Sequence, residues 1–272
     1  MRKSLIVAAI LAMSVGAYAQ FGGQFGGRSR GGPSNRACLV PGGGPEDTSR
    51  KIDRSGFVYA RVRYELQPWW RRSGNPELPW HHDFPDGDTM LPTALQRLST
   101  VHTTPESFKI VDIDSEELFE FPFIYMSEPG YLNLPPGDLK NLREYLDRGG
   151  FLLMDDFRGN QLDMSEFDNM EQQMKKLYPD REMKLLPPTH PIFHVFYDLD
   201  ETTMQPPYRM PNSGDVQFFG IVDDKENVKV MIDFNNDISE YWQALDVGQC
   251  SLHEAGTAVE LGMNYVIYAM TH

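Results

Sequence analysis

Asp138-Leu-Lys-Asn-Leu-Arg-Glu-Tyr-Leu-Asp-Arg-Gly149-Gly150-Phe-Leu-Leu-Met-Asp155-Asp156-Phe-Arg-Gly159 is the stretch that decides the fold. Leu139, Leu142, Tyr145 and Leu146 recur at helical spacing and form one apolar stripe. Pro135, Pro136 and Gly137 precede it, and Asp138 brings a carboxylate to the unpaired N–H groups of a first turn. Arg148 falls in the last turn, and Gly149 suits the left-handed stop that ends many helices. Phe151 to Met154 is a short unbroken apolar run, as a strand covered on both faces requires. The stretch predicts a helix, a stop, a buried strand, and then two carboxylates where the strand ends. Ligands of open parallel sheets gather beyond the carboxyl ends of the strands. Asp155 and Asp156 are therefore the first candidate site residues.

Working outward, Phe57 to Tyr64 alternates and is β-rich, and Phe108–Ile113 and Phe121–Met126 read as two further strands. Ser127 and Glu128 close the third. Pro92 to His102 reads as a helix, with Leu91, Leu95 and Leu98 on one side. Downstream come a helix over Asp163–Tyr178 and a short strand at Met183–Leu186. A hairpin follows, with arms at Val216–Val222 and Val228–Asp233. A closing helix spans Glu254–Met270, its buried side carrying Ala258, Leu261, Tyr265 and Tyr268. Alternating strands and helices predict a three-layer, doubly wound α/β domain with a mostly parallel sheet, the late hairpin added at an edge. One such domain fits residues 53–272 by length.

The amino-terminal end reads differently. Arg2 and Lys3 precede an apolar run from Leu5 to Ala17, and Ala17-Tyr18-Ala19 is a small-residue cleavage motif. That is the pattern of a secretory signal peptide, residues 1–19, cleaved after Ala19 and directing the chain to a periplasm or outside the cell. Residues 20–52 are glycine-rich and carry Arg28, Arg30 and Arg36, which predicts a flexible tether. No later segment is apolar enough to span a bilayer. Losing Arg2 and Lys3 takes the formal charge from −14 to −16. So acidic a chain is a poor partner for nucleic acid or anionic lipid, both of which need clustered Lys and Arg. Cys38 and Cys250 are the only cysteines, and an oxidising compartment leaves a disulfide between them open. Cys250 does not sit at a strand-to-helix elbow, which argues against a catalytic thiol there.

Several groups compete for a functional role. The loop from Gln67 to Asp88 is long and aromatic. Trp69 and Trp70 could stack on a sugar or a protein partner, or lie over the core. Trp80-His81-His82-Asp83 is the richest ligand-like cluster, and either histidine could meet Asp155 across space. Of the two aspartates, one could pair with Arg158 or cap the next helix while the other faces a crevice. Asn235, Asn236 and Asp237 offer oxygen ligands or plain turn chemistry. His190 and His194 are four apart, but Pro191 breaks the helix that metal binding at that spacing needs. The residues establish no cofactor.

At Gly149-Gly150-Phe-Leu-Leu-Met-Asp-Asp the chain resembles the class I glutamine-amidotransferase-like fold, which is flavodoxin-like. More closely, the body resembles a bacterial family known as domain of unknown function 4159. The matching pieces are Phe121-Pro-Phe-Ile-Tyr, Leu142-Arg-Glu-Tyr-Leu, Gly149-Gly150-Phe-Leu with Asp155-Asp156, and His190-Pro-Ile-Phe. Further on they are Phe219-Gly-Ile, Asn236-Asp-Ile with Tyr241-Trp242, and Leu261-Gly-Met-Asn-Tyr. The resemblance implies an amidotransferase-like scaffold in which Asp155 or Asp156 stands where the nucleophilic cysteine belongs. A carboxylate cannot form the γ-glutamyl thioester, so glutamine hydrolysis is not expected. The favoured expectation is a binding module for a small molecule or a periplasmic protein, recruiting its partner through the aromatic loop. The rival is a hydrolase using Asp155 or Asp156, with a divalent metal and His81 or His82.

Overall fold

Among the described residues nine strands run in the order β1 (Tyr59–Arg63), β2 (Glu65–Leu66), β3 (Phe108–Asp112), β4 (Phe123–Ser127), β5 (Leu132–Asn133), β6 (Phe151–Phe157), β7 (Lys184–Leu185), β8 (Gln217–Val222) and β9 (Val228–Phe234). Six helices accompany them: α1 (Pro68–Arg71), α2 (Asp86–Leu98), α3 (Pro136–Asp147), α4 (Ser165–Leu177), α5 (Ile238–Gln243) and α6 (Leu252–Thr271). The computed structural model describes residues 52–72, 78–199, 214–245, 248 and 250–272. The expected signal peptide, and the expected tether as far as Lys51, lie outside the described residues, as does Cys38.

Seven strands form one sheet in the order β3-β1-β4-β6-β9-β8-β7, and β2 and β5 make a separate pair. From β3 to β9 all neighbours are parallel, while β8 and β7 join in antiparallel fashion. The chain runs from β1 outward to β3, then crosses back to lay β4 on the other side of β1. The strand order reverses between β1 and β4, which is where an open α/β sheet opens a crevice at its carboxyl edge.

Alternation along the strands divides the core into two layers. Phe151 and Leu153 point to the face covered by α2, α5 and α6, where Leu91, Leu95, Trp242, Leu261 and Tyr265 are buried. Leu152 and Met154 point to the face covered by α3 and α4, against Leu142, Leu146, Met170 and Met174. Each such fully buried side chain contributes about 1.5–3 kcal/mol of transfer free energy. Gly149 ends α3 with φ +108°, as its left-handed stop requires. A Cβ on Gly150 would lie 2.2 Å from the Tyr145 ring, so the second glycine lets that ring close over the turn.

Three sequence expectations need correction. The strand does not stop at Met154: β6 runs through both aspartates to Phe157, and its register with β9 shifts between Met154 and Phe157. Asp156 sits in that irregularity with φ +60°, as a bulge that re-aims a side chain would have it. Helix α2 begins at Asp86 rather than Pro92 and ends at Leu98, because Ser99 turns extended. Asp86 and Asp88 put two carboxylates in its first turn, where the helix dipole favours them. Finally, the late hairpin is not a mere edge addition. Its second arm, β9, pairs parallel with β6 and is buried along nearly its whole length, as a central strand should be. Only β8 and β7 form the antiparallel edge. Cys250 is disulfide-bonded. Among the described residues no helix is long and apolar enough to cross a membrane.

Candidate functional site

The carboxyl ends of β1, β4 and β6 deliver Tyr64, Ser127 with Glu128, and Asp155 with Asp156 to the crossover. The loop before α2 reaches over the same edge and brings His82 and Asp83. That loop is held from below by Arg61, a fully buried arginine in β1. Its guanidinium forms a salt bridge to Asp88 at 2.7 Å and donates to the carbonyls of His82 (2.8 Å) and Trp80 (3.2 Å). It also lies 4.8 Å over the Tyr125 ring. Burial pushes the Asp88 carboxyl up, and the Arg61 charge pulls it only part of the way back.

His82 and Asp156 meet. His82 Nδ1 is 2.6 Å from Asp156 Oδ2 and 3.4 Å from Glu128 Oε1, and His82 Nε2 is 3.9 Å from Asp83 Oδ1. Burial works against the imidazolium, but the charge and hydrogen bond of Asp156, with Asp83 and Glu128 behind them, push His82 up to about 12. Burial also opposes the Asp156 carboxylate, and the charges and hydrogen bonds of His82 and Arg158 outweigh it, pulling the group well below the ordinary range. Arg158 donates to Asp156 Oδ1 at 2.8 Å and reaches Asp237 Oδ2 at 3.2 Å. Asp156 therefore pairs with Arg158 and faces the histidine at once. Only His82 and Glu128 are appreciably open to solvent, with side chains 23% and 22% exposed.

Asp155 plays the buried part. Its Oδ2 accepts from the backbone N–H groups of Ile238 (2.9 Å) and Ser239 (3.1 Å) at the start of α5, and lies 3.3 Å from the Tyr125 hydroxyl. Burial, with Asp237, Asp233 and Asp156 adding like charge, raises it far above the ordinary carboxylate value. Asp237 caps α5 by accepting from Glu240 N–H at 3.1 Å, and burial raises it as well. Ser239 Oγ donates to Asp83 and accepts from Tyr125. With its amide nitrogen turned toward the carboxylates, Gln243 donates to Asp83 Oδ1 at 3.0 Å. Asp155 Oδ1, Ser127 Oγ and both amide atoms of Asn236 are buried without a hydrogen-bond partner among the described residues.

The backbone is bent to build this site. Asp83 (φ +61°), Glu128 (+46°), Asp156 (+60°) and Asn235 (+58°) all adopt left-handed conformations that L side chains avoid. Each costs of order 1–3 kcal/mol, and such residues cluster where function demands a particular aim. Glu128 is pinned by its N–H to the Asp155 carbonyl (3.0 Å) and by Tyr64, whose hydroxyl lies 2.7 Å from the Glu128 carbonyl. Asn235 accepts from Gly159 N–H at 2.9 Å, tying the end of β9 to the turn after β6.

The other sequence candidates fall elsewhere. His81 packs between the rings of Trp80 and Phe84. Trp80 is buried, with Arg63 over its ring. Trp69 and Trp70 lean on Tyr131, and Trp69 remains 44% exposed. His190 caps the short turn Pro191–Phe193, and His194 pairs with Asp198 at 2.6 Å, so this segment packs Ile192 and Phe193 into the core. The sequence reading missed Arg61, Asp88, Ser239 and Gln243. Arg61 carried a legible signal, since a charged residue at the centre of an apolar strand needs a buried partner.

A search of curated proteins found no match to the chain. The family model described as Domain of unknown function (DUF4159) matches residues 58–270, from the start of the first strand to the last turn of α6. That span takes in every residue of the crossover site, and the chain belongs to the DUF4159 family.

Proposed function

We propose that this chain is an exported binding module that takes a small, positively charged ligand at the crossover between β1 and β4. The reading places it on a flavodoxin-like, glutamine-amidotransferase-like scaffold whose nucleophile position is Asp156, the residue with the strained backbone. The observation that carries it is the meeting of His82 with Asp156, flanked by Asp83 and Glu128, at the strand reversal. Carboxylates outnumber cations there, which favours a cationic guest. The hydrolase reading needs a group that exchanges its proton near neutral pH. In the metal-free site His82 and Asp156 are spent on each other at 2.6 Å, an arrangement that suits an electrostatic receptor better than an acid–base couple. The exposed Trp69 at the start of the loop is the surface left for a protein partner.

The test is a thermal-shift and calorimetric screen of amines, amino acids and amino sugars against the mature chain beginning at Gln20. A hit that stabilises the wild type and fails on Glu128→Gln and His82→Gln supports the reading. A screen without hits, or hits indifferent to both substitutions, removes it. Export is checked by sequencing the amino terminus of the protein recovered from the periplasmic fraction, where Gln20 is expected.

A further inference from the structure

We propose that the crossover holds a divalent transition-metal ion, of the zinc or manganese class, through His82, Asp83 and Asp156. The inference rests on the reading of the crossover as a binding site and names its ligand.

The geometry comes first. One atom each from His82, Asp83 and Asp156 can be chosen so that all three lie within 4.8 Å of one another, the spread that a single ion spans. Both aspartates are buried, and the histidine is partly open. Both aspartates also sit on left-handed backbone, so the chain accepts strain at the two residues that converge. Their carboxylates are oriented from behind, as metal ligands usually are. Arg158 holds Asp156 Oδ1, leaving Oδ2 toward the histidine. Ser239 and Gln243 hold Asp83. Arg61 fixes the loop through the His82 carbonyl.

A second observation takes in the groups packed around that triad. Asp83, Asp155, Asp156 and Asp237 are all buried at this edge, and the described cations facing them are His82 and Arg158, Arg61 being engaged by Asp88. Buried charges are paired or coordinate metals. Asp155 Oδ1 and Ser127 Oγ, register partners on adjacent strands, are fully buried oxygens without a hydrogen-bond partner among the described residues. Asp155 lies behind Asp83, joined to it through Ser239, whose N–H binds Asp155 and whose hydroxyl binds Asp83. Buried oxygen in excess of its donors is what a cation relieves.

The donor set selects the ion class. An all-oxygen site favours calcium or magnesium, whereas an imidazole nitrogen beside carboxylates suits zinc and manganese. Three protein ligands leave a coordination position open, and the side of His82 and Glu128 is the solvent-facing side.

The experiment uses the untagged mature chain, stripped with a chelator and then titrated with zinc, manganese or calcium alone. One equivalent of zinc or manganese binding at micromolar strength or better is expected, with calcium weaker. The affinity falls at least 10-fold in His82→Gln and in Asp156→Asn. Far-UV circular dichroism and the urea midpoint establish that each variant is folded. Should Asp156→Asn fail to fold, His82→Gln carries the comparison, and zinc-edge X-ray absorption on the wild type reads whether an imidazole is in the shell. Binding no tighter than millimolar, binding unchanged by both substitutions, or a shell without imidazole overturns the proposal. An organic cation that binds through Glu128 and His82 while no metal does so leaves the binding-module reading standing and removes only the metal.

Discussion

Replacing Arg61 with methionine tests how the site is held in place. Arg61 is wholly buried and serves Asp88, the His82 and Trp80 carbonyls, and the Tyr125 ring with one side chain. Leaving Asp88 as an uncompensated buried carboxylate costs about 3–5 kcal/mol. Each carbonyl stripped of its donor adds about 1–3 kcal/mol if it stays buried. These terms share one side chain and do not add fully. We therefore expect a loss of about 4–6 kcal/mol, against a total stability of roughly 5–15 kcal/mol for a domain. Urea unfolding should show a lower midpoint at unchanged slope. The double variant Arg61→Met with Asp88→Leu removes the stranded charge and should return to within about 2 kcal/mol of the wild type, since apolar pairs replace buried ion pairs without much loss. It should not restore ligand or metal affinity, because the His82 carbonyl has lost its anchor. A single variant costing less than about 1 kcal/mol, or a double variant no better than the single, refutes the claim that Arg61 acts through Asp88 and the loop.

Further predictions concern the site and the turn beneath it. His82 faces Asp156, Asp83 and Glu128, and its folded value of about 12 lies above its ordinary 6.5. The stability it confers is complete below pH 6.5 and is lost as pH rises toward 12. In metal-free buffer the wild type should lose up to about 1.4 kcal/mol per pH unit relative to His82→Gln across that window; a difference independent of pH between 7 and 10 would contradict the ion pair. Glu128→Gly frees a left-handed position, so melting should show stability unchanged or raised by up to about 1 kcal/mol while ligand binding weakens. Loss of stability would mean that the Glu128 side chain, not its backbone, carries the contact. Gly150→Ala drives a methyl group to within 2.2 Å of the Tyr145 ring and should cost about 1–3 kcal/mol in the urea midpoint. An unaffected midpoint would show that the ring does not need the glycine.

Local signals in the sequence were enough for the main strands and helices and for an α/β class with a mostly parallel sheet, but not for β2, β5, α1 or α5. The stripe Leu139–Leu146, the stop at Gly149 and the apolar run from Phe151 each depend on neighbours within a turn or a strand, so they are written in the order of the residues. The same holds for the two carboxylates at the end of β6 and for the loop cluster containing His82 and Asp83. What the sequence could not settle was which of them meet. His82 and Asp156 are 74 residues apart, and Ser239 reaches Asp83 across 156. Nothing in the local pattern distinguished His82 from His81, or Asp156 from Asp155. Tertiary structure decided both: Arg61 seized the His82 carbonyl and a bulge turned Asp156 out of strand register, while His81 and Asp155 fell on the sides where aromatic rings and the first N–H groups of α5 were waiting. Such choices depend on which groups are opposed across the sheet, and opposition comes into being only when the chain has crossed back from β3 to β4.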